Sequence, residues 1–125
     1  MCGIAGIYHL ETPKPVDPAR VEAMCDALAH RGPDGAGLFR HGHAALAHTR
    51  LAIVDLTEAG AQPMRTLGER HALVFNGEIY NHRDFRGAGS GPFRGESDTE
   101  SLLGALVAPG AGGLPRPTGL DRKST

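Results

Sequence analysis

The chain has 125 residues, of which 40% are apolar, and a formal net charge of −1. These values are typical of one globular domain or part of one. A charge near zero gives no support for nucleic acid or an anionic membrane as partner. The sequence also lacks a secretory signal and the roughly 20-residue apolar run of a bilayer-spanning helix. We therefore expect a cytoplasmic protein whose two cysteines are thiols rather than a disulfide.

The second residue is the first candidate functional group. Removal of Met1, which a small residue at position 2 favours, leaves Cys2 with both a thiol and a free α-amine. A free thiol has a pKa of about 8.5 and an α-amine one of about 7.7–8.0, so the amine can accept the thiol proton. Cys2 thus predicts a nucleophile that carries its own base. Taken alone, Cys2 is better explained as a buried cysteine near a chain end, and the motifs downstream reverse that preference.

A strand and a helix are predicted first along the chain. Residues 4–8 are typical of a short strand. Asp17 as N-cap, followed by Pro18 at the first helical position, predicts a helix start, and Gly32-Pro33 predicts its end. The apolar residues at helical spacing are Val21, Met24, Cys25 and Leu28. Cys25 is therefore predicted to be a core residue rather than a catalytic one.

A hairpin and further β-rich segments follow. Residues 38–40 and 44–48 predict a hairpin around His41-Gly42-His43, and residues 51–54 form another β-rich run. Residues 72–75 predict a short strand that enters the turn dipeptide Asn76-Gly77. The hairpin histidines lack a partner cluster with zinc-like spacing, so we predict no metal site.

The last predicted element is a helix. Ser97, with Glu100 three residues later, has the pattern of a capping box. Leucines 102, 103 and 106 follow, and Pro109-Gly110 predicts the end of the helix.

Five short motifs occur in order along the chain. They are MCGI at 1–4, HRGPDG at 30–35, HTRLAIVDL at 48–56, FNGEIYN at 75–81 and SDTE at 97–100, with AQPM at 61–64 as a further match. Together they resemble the type 2 glutamine amidotransferase domain of glutamine-hydrolysing asparagine synthetase, which has an N-terminal cysteine nucleophile. The resemblance covers residues 1 to about 106.

The resemblance implies a glutaminase site. Cys2 is the implied nucleophile, which forms a glutamyl thioester, and Asn76 and Gly77 are the implied oxyanion donors. The implied substrate-binding residues are Arg50, Leu51, Ile53, Val54, Asn76, Gly77, Glu78 and Asp98. The HRGPDG stretch is predicted to be a structural loop at the pocket rim.

The residue types suit this chemistry, although each has a structural alternative. The planar guanidinium of Arg50 can bind a carboxylate through two hydrogen bonds, and Glu78 and Asp98 can attract the ammonium of glutamine. Singly, Arg50 could be a surface strand residue, Asn76-Gly77 a hairpin turn, and Asp98 a charge that complements the helix dipole.

The resemblance also implies a fold and a larger protein. The implied fold is α+β, a four-layer α/β/β/α sandwich typical of N-terminal-nucleophile hydrolases, incomplete here on its C-terminal side. The glutaminase half needs no cofactor. ATP and magnesium belong to a synthetase domain that is absent from this chain, and that domain selects aspartate or another carboxylate as ammonia acceptor.

Two segments depart from the family pattern. Gly87, Gly89, Gly91 and Pro92 predict a short or broken helix between residues 84 and 93. Residues 107–125 are rich in Pro and Gly and predict a disordered tail, which suggests a frameshift or truncation. The alternative function is therefore a non-catalytic fragment or glutamine-binding remnant. A hydrolase of another amide is disfavoured, because Arg50, Glu78 and Asp98 together suit an amino acid.

Overall fold

A computed structural model of the chain describes residues 1–52, 56–88 and 93–108. Within them the chain combines two antiparallel sheets with helices, so the α+β class is confirmed. Of the predicted features, part of the β-rich run at 51–54, including Ile53 and Val54, and the tail from residue 109 lie outside the described residues. No helix among the described residues is long and apolar enough to cross a membrane.

The larger sheet has three strands. These are β1 (Gly3–Tyr8), β2 (Gly35–His41) and β3 (Ala44–Arg50), arranged in the order β1-β3-β2. The predicted first strand and hairpin are therefore confirmed. Strand β2 begins earlier than predicted, because Gly35, Ala36 and Gly37 pair with the end of β3. Small residues with low strand propensity hide this extension from the sequence pattern.

Helix α1 (Pro18–Ala27) covers one face of this sheet. As predicted, Asp17 caps it: the side-chain oxygen accepts a hydrogen bond from the Ala19 N–H at 3.0 Å. Val21 and Cys25 of the helix are buried with Ala45 and Ala47 of β3. Cys25 is therefore a core residue, and its burial, assisted by the charge of Asp26, raises the pKa of its thiol.

The smaller sheet consists of two short strands, β4 (Met64–Arg65) and β5 (Ala72–Leu73). Strand β4 was not predicted, and β5 covers only the first half of the predicted 72–75 strand. Asn76 and Gly77 follow β5, whose partner is the preceding strand β4, so the described strands do not support the structural alternative of a hairpin turn at these residues. Gly37 of β2 lies against the segment that leads into β4, since an added Cβ there would collide with the Gln62 carbonyl.

Two helices complete the described chain. Helix α2 (His82–Ala88) is short within the described residues and packs against α3 (Asp98–Val107). Gly89, Gly91 and Pro92, on which the prediction of a short or broken helix also rests, lie outside the described residues. The guanidinium of Arg86 joins them, since it donates to Ser101 Oγ at 2.9 Å and to the Gly95 carbonyl at 2.7 Å.

The N-cap of α3 is confirmed, but the capping box is not. The Ser97 hydroxyl accepts a hydrogen bond from the Thr99 N–H at 3.1 Å. The Glu100 carboxylate accepts instead from the N–H groups of Arg94 and Gly95, at 2.7 and 2.9 Å. Glu100 therefore fixes the segment that leads into the helix, because that segment folds back over the first turn.

Candidate active site

A cavity of about 150 Å³ lies on the face of the larger sheet opposite α1. Alternation along β3 explains its position: Ala45 and Ala47 face the helix, so His48 and Arg50 point to the other side. The chain segments around the cavity are Met1–Cys2, the end of β3 with the two residues after it, residues 60–62, residues 75–78 and the start of α3. Its lining residues are Met1, Cys2, His48, Arg50, Leu51, Ala52, Gly60, Gln62, Phe75, Asn76, Gly77, Glu78, Ser97, Asp98 and Thr99.

Cys2 contacts the backbone of the residue that follows β3. Its Sγ accepts a hydrogen bond from the Leu51 N–H at 3.3 Å and lies 3.6 Å from the Leu51 carbonyl, to which the thiol donates. The thiol is half-buried. These contacts place the sulfur next to the segment that carries Arg50, at the edge of the cavity.

The peptide group that joins Cys2 to Gly3 has a hydrogen-bond partner for both its carbonyl and its N–H. Arg31 Nε donates to the Cys2 carbonyl at 3.2 Å, and the Gly3 N–H donates to Thr49 Oγ1 at 3.1 Å. Neither Arg31 nor Thr49 was predicted as a site residue. Both lie inside the HRGPDG and HTRLAIVDL motifs, but their partners are far away in sequence, so only the folded chain identifies these contacts.

The loop at residues 30–35 supports the rim of the cavity, as predicted. The Asp34 N–H donates to the Arg50 carbonyl at 2.9 Å, and Asp34 Oδ2 accepts from the Ala52 N–H at 2.9 Å. The carboxylate and backbone of Asp34 thus hold residues 50–52 in place beside Cys2. The loop acts through these contacts rather than by lining the cavity.

His48 is a lining residue that the sequence did not identify as functional. Its side chain is 1% exposed, and within the part of the chain that the structure describes neither ring nitrogen has a hydrogen-bond partner of good geometry. Burial, assisted by the charge of Arg50, lowers the pKa of the imidazole from its ordinary value of 6.5, and the Phe75 backbone opposes this in part. His48 is therefore neutral at neutral pH.

The cavity wall opposite the larger sheet, formed by residues 75–78 and the start of α3, depends on Gln62. Its Oε1 accepts a hydrogen bond from the Phe75 N–H at 2.6 Å, and its Nε2 donates to Thr99 Oγ1 at 3.1 Å. One side-chain amide thus joins the Phe75–Asn76 backbone to the first turn of α3. Asn76, which is half-buried at the cavity, directly follows Phe75, so Gln62 anchors the backbone next to it.

Asp98 combines a structural position with a place in the cavity lining. Its side chain is buried, with Oδ2 accepting from the Ile79 N–H at 2.9 Å and Oδ1 from the Thr99 N–H at 2.8 Å. Oδ1 also accepts from Thr99 Oγ1 at 3.4 Å. A carboxylate can accept about four hydrogen bonds, so these three contacts leave capacity for a bound cation. The helix-dipole interpretation and the binding interpretation are therefore compatible.

The cavity brings together most of the residues predicted for the site. Those that line it are Cys2, Arg50, Leu51, Asn76, Gly77, Glu78 and Asp98. Ile53 and Val54 lie outside the described residues. Within residues 1–52, 56–88 and 93–108, no group of three or more His, Cys, Asp or Glu side chains could hold a metal ion.

Known proteins resemble the chain over most of its length. A family model described as a glutamine amidotransferase domain matches residues 1–120. Asparagine synthetase B [glutamine-hydrolyzing] of Escherichia coli (strain K12) is 41% identical over 86 residues, which cover 69% of this chain and 15% of that protein. Asparagine synthetase [glutamine-hydrolyzing] 3 of Bacillus subtilis (strain 168) is 36% identical over 112 residues, which cover 86% of this chain and 18% of that protein. The chain therefore spans less than a fifth of the length of these relatives.

Proposed function

This chain belongs to the glutamine amidotransferase domain family, and from that premise we propose that its cavity hydrolyses L-glutamine to L-glutamate and ammonia through a thioester on Cys2. The observation that carries the proposal is the shared cavity, where the Cys2 thiol lies with one guanidinium, two carboxylates and the Asn76 amide. The guanidinium and the carboxylates complement the charges of an amino acid, and the thiol and the amide supply the nucleophile and the oxyanion donor that acyl transfer requires.

Substrate binding follows from the charged side chains. Arg50 binds the α-carboxylate of glutamine through two parallel hydrogen bonds. Glu78 and Asp98 bind the α-ammonium, and Asp98 is held in position for this by its contacts with Ile79 and Thr99. With both ends of the amino acid bound, the side-chain amide extends toward the sulfur.

The reaction has two stages. Once Met1 has been removed, the α-amine of Cys2 accepts the thiol proton while Sγ attacks the amide carbon. Asn76 Nδ2 and the Gly77 N–H donate hydrogen bonds to the oxyanion. The proton passes to the leaving nitrogen, the C–N bond breaks, and ammonia and a glutamyl thioester result. Water then adds to the thioester, its proton goes to the amine, and the C–S bond breaks to release glutamate and the thiol.

The names of the relatives extend the proposal to a larger protein. Both are named as glutamine-hydrolysing asparagine synthetases, so we assign the chain to the glutaminase part of such an enzyme, acting in asparagine biosynthesis in the cytoplasm. A separate synthetase domain, with ATP and magnesium, would use the ammonia. The glutaminase part would adopt the four-layer sandwich and need no cofactor.

A non-catalytic fragment is the second candidate, and the exposure of apolar residues in and directly after the strands favours it. Ile4 is 45% exposed, and Ile7, Leu51 and Val74 are only partly buried. Exposing an aliphatic side chain forfeits roughly 1.5–3 kcal/mol. This is a substantial share of a typical domain stability of about 5–15 kcal/mol, so this chain alone could be too unstable for turnover.

Direct detection of the thioester tests the proposal and separates the two candidates. Mature protein is mixed with L-glutamine, quenched in acid and digested, and the Cys2 and Cys25 peptides are analysed by mass spectrometry. We expect a glutamyl adduct on Cys2 alone, together with glutamate in solution. Folded protein that binds glutamine but gives neither adduct nor glutamate would support the non-catalytic candidate. An adduct on Cys25 would contradict the assigned nucleophile.

A further inference from the structure

The Thr49 hydroxyl connects three parts of the chain behind the cavity. Thr49 is buried, its Oγ1 accepts the Gly3 N–H at 3.1 Å, and the same hydroxyl donates to the Leu28 carbonyl at 3.0 Å. A hydroxyl has a single proton, so the donation to Leu28 directs its lone pairs toward Gly3. The hydroxyl is therefore oriented by the end of α1.

The position of this hydrogen bond gives it a specific effect on Cys2. Strand β1 begins at Gly3, which is paired with Thr49, so Cys2 precedes the regular ladder. The Gly3 N–H belongs to the peptide group that Cys2 begins. Thr49 is also covalently next to Arg50, and Leu51 follows with the N–H that contacts Cys2 Sγ at 3.3 Å. One side chain thus links the nucleophile to the segment it contacts.

The fit around Gly3 shows how closely these groups approach. A Cβ added at Gly3 would lie 2.6 Å from Thr49 Oγ1 and 2.9 Å from Leu28 Cβ. Glycine is therefore required for the backbone to come within reach of the hydroxyl. Thr49 itself does not line the cavity, because it points toward α1 rather than toward His48 and Arg50.

We propose that Thr49 is a positioning residue, whose hydroxyl fixes the Cys2–Gly3 peptide so that the sulfur is aligned with the amide of a substrate bound by Arg50. The inference rests on the proposed function of Cys2. It assigns Thr49 an effect on the rate of attack rather than on substrate affinity, since the hydroxyl touches neither end of the substrate.

The test uses variants that separate the hydroxyl from the volume of the side chain. Thr49→Val keeps the shape and removes the hydroxyl, whereas Thr49→Ser keeps the hydroxyl and removes the methyl group. The probe is the diazoketone analogue of L-glutamine, 6-diazo-5-oxo-L-norleucine, which forms a thioether with a cysteine as nitrogen gas leaves. Labelling of Cys2 by the full chain gives a maximal rate and a half-saturating concentration without requiring turnover.

We expect Thr49→Val to lower the maximal labelling rate roughly ten- to a hundredfold, the scale associated with a misplaced reacting group. The half-saturating concentration should change less than about threefold, and Thr49→Ser should stay within about threefold of the parent in both. Thr66→Val is the matched control, because the Thr66 hydroxyl also accepts a backbone N–H, that of His71 at 3.3 Å, but lies outside the cavity lining.

Two results would overturn the inference: a parental labelling rate in Thr49→Val, or equal impairment of the Val and Ser variants. If Thr49→Val does not fold, as judged by thermal melting, Thr49→Ala and Thr49→Ser provide the comparison, since both lack the methyl group and differ by the hydroxyl. Failure of the proposed function gives a different signature. In that case the parent would react with iodoacetamide at Cys2 but would not show saturable labelling by the glutamine analogue.

Discussion

The two walls of the cavity are built by different kinds of interaction. The sheet wall, with His48 and Arg50, is part of a continuous antiparallel ladder in which β3 is paired on both sides. The opposite wall, with Asn76, follows a strand of two residues and is located by the side chains of Gln62 and Asp98, which accept hydrogen bonds from the N–H groups of Phe75 and Ile79. Backbone pairing therefore holds the first wall, whereas a few individual side chains position the second.

This difference matters because the two walls have different proposed tasks. The sheet wall carries the guanidinium proposed to bind the carboxylate, which the ladder holds, and the proposed nucleophile, which lies one residue before the ladder. The opposite wall carries the oxyanion donor and the ammonium-binding carboxylates. A single substitution can displace that wall while leaving the larger sheet intact, so the comparison can be tested one side chain at a time.

The largest expected effect is at the nucleophile, on the sheet wall. Cys2→Ala should abolish glutamine hydrolysis, and Cys2→Ser should nearly do so, because a hydroxyl is a far weaker nucleophile at neutral pH. An N-terminal tag that prevents Met1 removal should be as damaging, since it converts the amine base into an amide. Glutamate formation measures the outcome, with Cys25→Ser as control. Turnover by the tagged, unprocessed protein would contradict the mechanism.

Opposing substitutions on the two walls should have different kinetic signatures. Asn76→Ala should lower kcat about 100- to 1,000-fold with a smaller change in KM, the cost expected for an oxyanion donor. Arg50→Lys keeps the charge but loses the planar fork, so it should chiefly raise KM. Steady-state kinetics distinguish the two. Equal changes of kcat and KM in both variants would contradict the assigned roles.

A substitution at Gln62 should loosen the opposite wall. Gln62→Met preserves much of the shape but leaves the Phe75 N–H and Thr99 Oγ1 without their Gln62 hydrogen bonds. A buried donor without a partner costs about 1–3 kcal/mol, so we expect a loss of that size in urea unfolding, accompanied by a lower kcat.

Arg65→Met is the control for Gln62→Met. Arg65 forms an exposed ion pair with Glu69, and pairs of this kind contribute about 0–1 kcal/mol. If both variants lose the same stability, the opposite wall does not depend specifically on Gln62.

The smallest expected effect is a pH dependence that arises from His48. The pKa of His48 lies below 6.5 in the folded chain. Between the folded-state and the unfolded-state pKa, the imidazole is therefore protonated mainly in the unfolded chain. Stability should therefore fall as pH decreases below about 6.5, by up to about 1.4 kcal/mol per pH unit.

Urea unfolding at about pH 7.5 and about pH 5.5 checks this dependence. His48→Gln should lose less stability on acidification than the parent protein. His41→Gln, which replaces an exposed histidine, should behave like the parent. An unchanged pH slope in His48→Gln would show that the buried imidazole does not destabilise the folded chain in acid.

Prediction from sequence worked best where structure is local. The Asp17 and Ser97 caps, the β2–β3 hairpin and the short helix α2 follow from residues that are close together in the chain. The motifs also predicted Cys2, Arg50 and Asn76 as site residues, and all three line one cavity, although their roles stay predictions.

The sequence did not reveal features that depend on distant partners. Strand β4 has two residues, which are too few to show the alternation of apolar and polar residues typical of a strand. It is defined by the pairing of Met64 with Leu73. Glu100 was assigned to a capping box, but the chain before α3 folds back and uses its carboxylate. Thr49 meets Gly3 across 46 positions of sequence, and a threonine in a strand gives no sign that its hydroxyl has such a partner.

The contact between Gly37 and the Gln62 carbonyl has an evolutionary consequence. Gly37 does not line the cavity, yet any side chain there would have to displace the backbone of the residue that anchors the opposite wall. Natural variation at this position should be narrow although Gly37 lies outside the cavity lining. Directed evolution toward bulkier amides could use the same position, since Gly37→Ala would push Gln62 away from β2 without substituting a residue of the cavity lining.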